Sequence, residues 1–394
     1  MNKLERLEYN SNIWKFYLFK FLMSMELTIA IFVLFILSNG LTMTQTMLLE
    51  SIFTVMIFFT EIPSGGFADK YGRKTSIAIA MFAGSISFLI FGLGSTFFVF
   101  LIAQLLGGLM WSFKSGSDEA FLYDTLKVLK KEKLFSKIYG KTNSFEMFNY
   151  GALAFVSSTL AYLLGYRMLF YLTSIIFFIA GLFVLTFKEP PLEKHLQEKN
   201  YFNHLWKAIK FSFTHNWVFM LVIFGGFFGA VSHLMYFLIQ PLYDGGTLKL
   251  LLGLGVCIYF VACSIGSYFS HYFIDKFKEK TLIIILILIQ IVALIGMFLF
   301  SVYFSLLFLF VLSFLSGIRG VASSKMINHH TSSHHRATVI SVGSMMKSIV
   351  YAVLAPILGY VTDIYTIGAS FLMLSFGMFC LLIVILFMFI MIKD

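Results

Sequence analysis

The chain has 394 residues, 59% of them hydrophobic and only 12% charged, with mean hydropathy +0.89 and a formal net charge of +10. A soluble globular protein carries about a quarter charged residues, so composition excludes a soluble enzyme. Apolar runs of about 20 residues, the length that crosses a hydrocarbon core, recur from residue 13 to residue 390 and exclude a soluble domain on a single anchor. No run alternates polar and apolar residues as an outer-membrane barrel strand does, so the spans are helices. Cys257, Cys263 and Cys380 all lie inside apolar runs, which excludes a disulfide framework and a thiolate metal cluster and leaves no basis for redox chemistry.

Lys3, Arg6, Lys15 and Lys20 accompany the first apolar run, which continues for about 25 residues without a small-residue cleavage site and reads as a retained helix. Charged loops and Gly or Asn punctuation predict helices near 13–38, 42–67, 75–95, 97–124, 140–164 and 166–187, and a second six near 213–239, 247–274, 281–300, 302–325, 338–362 and 367–390. The expected organisation is a six-helix bundle over 1–187, a cytoplasmic linker over 188–212 and a second bundle over 213–394. In the linker, Pro190 and Pro191 stop a helix. Beyond them, Leu205, Trp206 and Ile209 set against Lys207 and Lys210 suit a short helix lying on a membrane surface.

Of the 29 Lys and Arg, 23 fall on the amino terminus, the even-numbered connections and the carboxyl terminus, against Arg167 and Lys249 on the opposite side. The excess of positive charge predicts a multi-pass protein of the cytoplasmic membrane with both termini in the cytoplasm. The net charge is then a topology signal, and no nucleic-acid partner is expected. The halves echo each other. Asp69-Lys-Tyr-Gly-Arg-Lys-Thr75 has its counterpart in Asp275-Lys-Phe-Lys-Glu-Lys-Thr281, and Gly116 and Asp124 in Gly320 and Asn328, which points to a duplicated six-helix unit.

Two sets of residues carry chemistry. In the loop after the second helix, Gly66 and Gly72 allow a tight turn and close backbone approach. Asp69, Arg73 and Asp124 can form charge-assisted bonds at the rim. A partly hydrated pair of this kind changes by about 1 to 3 kcal/mol, which suits a two-state gate. The loop is no nucleotide-binding loop, because five residues separate the two glycines and Arg73 stands where Lys is required. The second set is the ionisable residues inside spans, each costly and a functional candidate. Counting along the helices places Glu26, Lys114 and Lys347 near mid-bilayer as cavity candidates, Glu26 being the acid best placed to carry a proton. Glu61, Asp118, Glu119, Glu146 and Arg319 lie within about two turns of the cytoplasmic end and are secondary candidates. His329, His330, His334 and His335 cluster before the eleventh helix. A metal there would need imidazoles converging with an acid or thiol, none stands nearby in sequence, and the segment reads as a solvated loop with no resident metal.

On Gly66-Phe-Ala-Asp-Lys-Tyr-Gly-Arg-Lys-Thr75, preceded by Glu61-Ile-Pro-Ser-Gly65, and on Arg336-Ala-Thr-Val-Ile-Ser341, the sequence resembles the major facilitator superfamily of secondary transporters over essentially its whole length. The resemblance implies twelve helices in two pseudo-symmetric bundles that rock about a central cavity. It further implies that Asp69 and Arg73 latch the bundles when the cavity faces outward, and that Asp124 holds the acidic position pairing with that arginine. Two departures bear on coupling. Gln104 stands where many proton-coupled members carry an arginine, and Gly151 to Gly165 contains no proline, a Pro356–Gly359 pair occurring later instead. The function expected is a monomeric, cofactor-free, non-enzymatic transporter, proton-coupled and exporting a small amphipathic or drug-like compound. The alternatives are an importer of a small anion and a transporter-like membrane sensor.

Overall fold

Inside a hydrocarbon layer every peptide N–H and C=O needs an intrachain partner, which a helix supplies locally. In the computed structural model, which describes residues 3–191, 215–243, 249–300, 302–331 and 333–391, the described residues form helices and no strand. The surface helix expected around Leu205, Trp206 and Ile209 lies outside them. In chain order the helices are α1 (Lys3–Ser24), α2 (Phe32–Ser38), α3 (Met43–Tyr71), α4 (Arg73–Leu93), α5 (Phe97–Lys114), α6 (Ser117–Val128), α7 (Phe135–Leu164) and α8 (Tyr166–Val184). There follow α9 (Asn216–Leu242), α10 (Lys249–Lys276), α11 (Glu279–Leu299), α12 (Val302–His330), α13 (Ser333–Ile364) and α14 (Ile367–Met391). Eleven stretches are long and apolar enough to cross a membrane. The interrupted α1–α2 stretch makes the twelfth of an all-α, twelve-pass architecture.

Several expected helices differ, among them α7 and α13, which begin at Phe135 and Ser333 rather than near 140 and 338, so that the backbone of His334 and His335 is helical and not a loop. The first is not continuous over 13–38: α1 starts at Lys3 and the helix breaks over Met25–Ile31, where Ile29 N–H reaches Glu26 O at 3.4 Å and Ile31 N–H reaches Thr28 O at 3.0 Å in three-residue turns. The fourth ends at Lys114 and resumes as α6 after Gly116, whose φ of +72° is open to glycine and takes the chain out of the helix. The tenth runs past residue 325 to His330, so His329 and His330 occupy its last turn and not a loop.

The chain forms two units: residues 1–41 with 52–197, and residues 42–51 with 198–394. In the first, α4 is the central element, packed along α5 and α8. In the second, α10 and α12 make the closest pairing. A Cβ on Gly266 or Gly317 would fall on backbone of the facing helix, the small-residue contact that membrane helices use to approach. The duplicated landmarks have diverged, since the helix breaks at Gly116 and runs straight through Gly320.

Candidate functional site

In the first unit the break between α1 and α2 is held by side chains from α7 and α8. Asn149 donates to Ser24 Oγ at 2.7 Å, and Leu27 N–H, freed from the helix, donates to Thr173 Oγ1 at 3.2 Å. Glu26 sits in the break and accepts a 3.3 Å bond from the Thr28 hydroxyl. Unwound backbone at membrane depth is tolerated where protein or a lined cavity satisfies it, and such breaks mark ion and substrate sites.

Beside it lies a buried ionic network. Lys20 on α1, only 3% exposed, reaches Glu146 Oε2 on α7 at 2.6 Å and Asp118 Oδ2 on α6 at 3.3 Å. Lys114, the last residue of α5, stands 3.9 Å from Glu146 Oε1, its ammonium 4.3 Å from the Trp111 ring centre. The Tyr150 hydroxyl donates to Glu146 Oε1 at 3.2 Å. Two cations thus face two carboxylates. Glu61 and Glu119 are exposed and stand outside this network.

Between α3 and α4, also in this unit, stands the single residue Gly72; Gly66, expected in the turn, lies inside α3. Gly72 has φ +104°, and a Cβ there would stand 2.6 Å from Glu189 Oε2. That carboxylate accepts the N–H of Arg73 at 2.7 Å and of Lys74 at 2.9 Å, closing the amino-terminal end of α4. Burial pushes the Glu189 carboxyl above the ordinary range, against the pull of the two N–H bonds and of the Lys74 and Arg73 charges. Arg73 Nη2 pairs with Asp69 at 2.6 Å, while its Nε is 3.8 Å from Asp124 Oδ2, an ion pair too long for a hydrogen bond. Gly66 precedes this cluster on α3 with open space about it.

In the second unit α9 carries Gly225, Gly226 and Gly229 along one stretch. A Cβ on Gly229 would touch both Arg319 Nη1 of α12, at 3.4 Å, and Lys347 Cδ of α13, at 3.5 Å, so the two cationic side chains converge on this bare helix surface. Arg319 Nη1 donates to Gly225 O at 3.3 Å, and its Nε is buried without a partner. Among the described residues no carboxylate stands beside either cation. Rings stand close by. His233 lies 4.7 Å from Tyr351 between ring centres, Tyr259 donates to Ser232 O at 3.1 Å, and the Tyr351 hydroxyl is buried without a partner.

Apart from the Asp69, Arg73 and Asp124 cluster and the exposed Glu61 and Glu119, the sequence-derived candidates fall into three places. Glu26 stays beside the break and within electrostatic range of Lys114. Glu146 and Asp118, placed by counting at a helix end, are buried partners of Lys20 and Lys114. Lys347 and Arg319 form a pair of their own. Lys20 and Glu189 were missed. The charge of Lys20 inside an apolar run was its only signal, and for Glu189 none existed, because its partners lie about 115 residues away in the chain.

The model of the Major Facilitator Superfamily matches residues 16–350 and 249–393. Among curated proteins, the chain is 27% identical to Multidrug resistance protein 2 of Bacillus subtilis (strain 168) over 169 residues, which is 41% of each chain. It is 24% identical over 208 residues to the uncharacterized MFS-type transporter YxaM of the same organism, 52% of this chain and 51% of that one. The chain thus spans about half or less of the length of the curated relatives it matches. Among solved structures it is similar to a point mutant of the nucleoside transporter NupG, with TM-score 0.82, 16% identity, and coverage of 96% of this chain and 99% of that one. It is also similar to a bacterial homologue of the human lysosomal transporter Spinster in an inward-facing, occupied conformation, with TM-score 0.71, 15% identity, and coverage of 97% and 95%. Those two likenesses concern the fold. The family match runs over nearly the whole of a chain built from twelve membrane passes, and the protein belongs to the Major Facilitator Superfamily of membrane transporters.

Proposed function

We propose that the protein exports a small amphipathic compound bearing an acidic group, by alternating access and in exchange for protons. The observation that carries this reading is the Arg319–Lys347 pair, two cationic side chains converging on Gly229 with no carboxylate beside them among the described residues. An uncompensated charge at membrane depth is costly, and an anionic ligand offsets that cost by completing the pair. His233, Tyr259 and Tyr351 offer ring faces to an apolar body. Export is favoured by the likeness of part of the chain to a multidrug resistance protein. In this reading Glu26 takes up and releases the coupling proton, and Asp69, Arg73 and Asp124, clustered about Gly72 with Gly66 one turn and more before it on α3, latch the bundles formed by 1–187 and 213–394. Both termini and the linker over 188–212 face the cytoplasm, and the monomer passes its substrate unchanged.

The test is uptake into everted vesicles of a fluorescent carboxylate and of its neutral ester, with a proton gradient imposed. The carboxylate is expected to accumulate and the ester not. Arg319→Ala and Lys347→Ala should raise the KM for the acid, and Glu26→Gln should abolish gradient-driven accumulation while sparing exchange. Equal transport of acid, ester and a cationic dye, with KM unchanged in both alanine variants, overturns the assignment of the cations. Concentrative uptake into right-side-out vesicles overturns the direction.

A further inference from the structure

The histidines before the eleventh span lacked an acid in their own stretch of sequence. The fold brings one. Glu279, fifty residues earlier, is the first residue of α11, and its carboxylate meets the last turn of α12. Its Oε1 lies 3.2 Å from His329 Nδ1 and its Oε2 lies 2.6 Å from His330 Nε2. Adjacent residues on a helix diverge by about 100°. These two reach one carboxylate because one uses the nitrogen near the backbone and the next uses the far one. The three donor atoms all lie within 4.8 Å of one another.

A second observation concerns how the site is held. Trp217, in the first turn of α9, stacks on the His330 ring with centres 4.5 Å apart and planes 5° from parallel. Trp217 is itself backed by Phe389, with ring centres 6.1 Å apart. His330 is thereby oriented by packing, as ligating imidazoles are by their outer contacts. His329 is largely open to solvent, which leaves positions for water.

We infer that Glu279, His329 and His330 form a binding site for a divalent transition-metal ion of the zinc class. Two imidazoles and one carboxylate suit zinc, nickel or cobalt, completed by water, and do not suit magnesium or calcium, which take oxygen donors. Binding uses the unprotonated ring nitrogens and the carboxylate as ligands. It ties the first turn of α11 to the last turn of α12.

The experiment is calorimetric titration of the purified full-length protein in detergent with zinc chloride, beside magnesium and calcium chloride. One zinc per chain is expected in a saturable component, with no heat from the other two ions. Glu279→Gln and His330→Gln should each lose about tenfold or more in affinity, and the double change of His334→Ala with His335→Ala should leave it intact. Nickel should quench part of the tryptophan fluorescence, and Trp217→Phe should remove that part while zinc still binds. Unfolding temperatures without metal check that the variants fold. The inference is overturned if wild type shows no saturable component at sub-millimolar zinc, if zinc binds undiminished to both Gln variants, or if binding disappears only when His334 and His335 are replaced.

Discussion

Replacing Lys20 by methionine removes the ammonium that Glu146 and Asp118 share at 2.6 and 3.3 Å, with little change in side-chain volume. Lys114, 3.9 Å from Glu146, is then the one cation left in the network beside two buried carboxylates, and the network changes from neutral to a single negative charge. Removing one partner of a buried pair costs about 3 to 5 kcal/mol, because the survivors keep their desolvation and lose their compensation. In a unit of this size each kcal/mol moves the midpoint by about 2 to 4 °C, so Lys20→Met should lower the unfolding temperature by about 6 to 20 °C. Glu146→Gln should also destabilise, since it strips Lys114 of its partner. The double variant restores neutrality, with Lys114 and Asp118 remaining, and should cost less than the sum of the single changes by about 1 to 3 kcal/mol. The assay is thermal unfolding of the purified protein in detergent, followed by tryptophan fluorescence at fixed heating rate, with cycles closed at the level of the midpoint. A Lys20→Met midpoint within ~2 °C of wild type, or strict additivity in the double variant, would show that the network carries no such coupling and refute the reasoning.

The turn between α3 and α4 supports two more expectations. Asp69→Asn should sharply reduce transport at equal membrane expression. Asp124→Asn combined with Arg73→Ala should be much less than additive, as vesicle flux would show, because Arg73 meets both acids. The Glu189 carboxyl titrates above its unfolded value, so the folded protein binds the proton more readily and its stability falls as pH rises through the window between the two values. Glu189→Gln should remove this slope, which unfolding temperatures compared from about pH 5 to about pH 8 would reveal; an unchanged slope excludes Glu189 as its source.

The spans were legible because a bilayer imposes a length and a composition that any window along the chain detects. The break at Met25–Ile31 was not. Its residues are as apolar as their flanks apart from Glu26 and Thr28 and contain neither Gly nor Pro. What holds it open is Thr173, 146 residues away, and Asn149, 125 residues from Ser24. Facing direction was not legible either. Asp118 and Glu119 are neighbours at one depth, yet Asp118 is buried against Lys20 and Glu119 is exposed. The same limit hid Lys20, whose partners come from α6 and α7. The histidines differ again: their residue type was conspicuous, but the acid that two of them meet stood fifty residues upstream.

Under alternating access each bundle moves as a body, and distances inside a rigid body do not change when it rotates. Charges already answered within one bundle are therefore poor carriers, since nothing in the motion gives them a reason to exchange partners. By this criterion Lys114, placed by its depth among the cavity candidates, moves to the structural set with Lys20, Asp118 and Glu146, because Glu146 neutralises it within the first unit. Among the described residues Glu26 has only a hydroxyl at hydrogen-bond distance, and Arg319 and Lys347 have no acid beside them. Those three charges can be answered by something that arrives and leaves, a proton for the acid and an anion for the cations. The duplication makes this division of roles available. Two copies of one bundle start with the same framework, and once one has locked its charges into a network around a broken helix, the other is free to present cations on the bare surface at Gly229. The proposed acidic substrate and the proposed proton thus draw on different halves of the chain, and variants in one half should alter substrate affinity while leaving the pH dependence of the other intact.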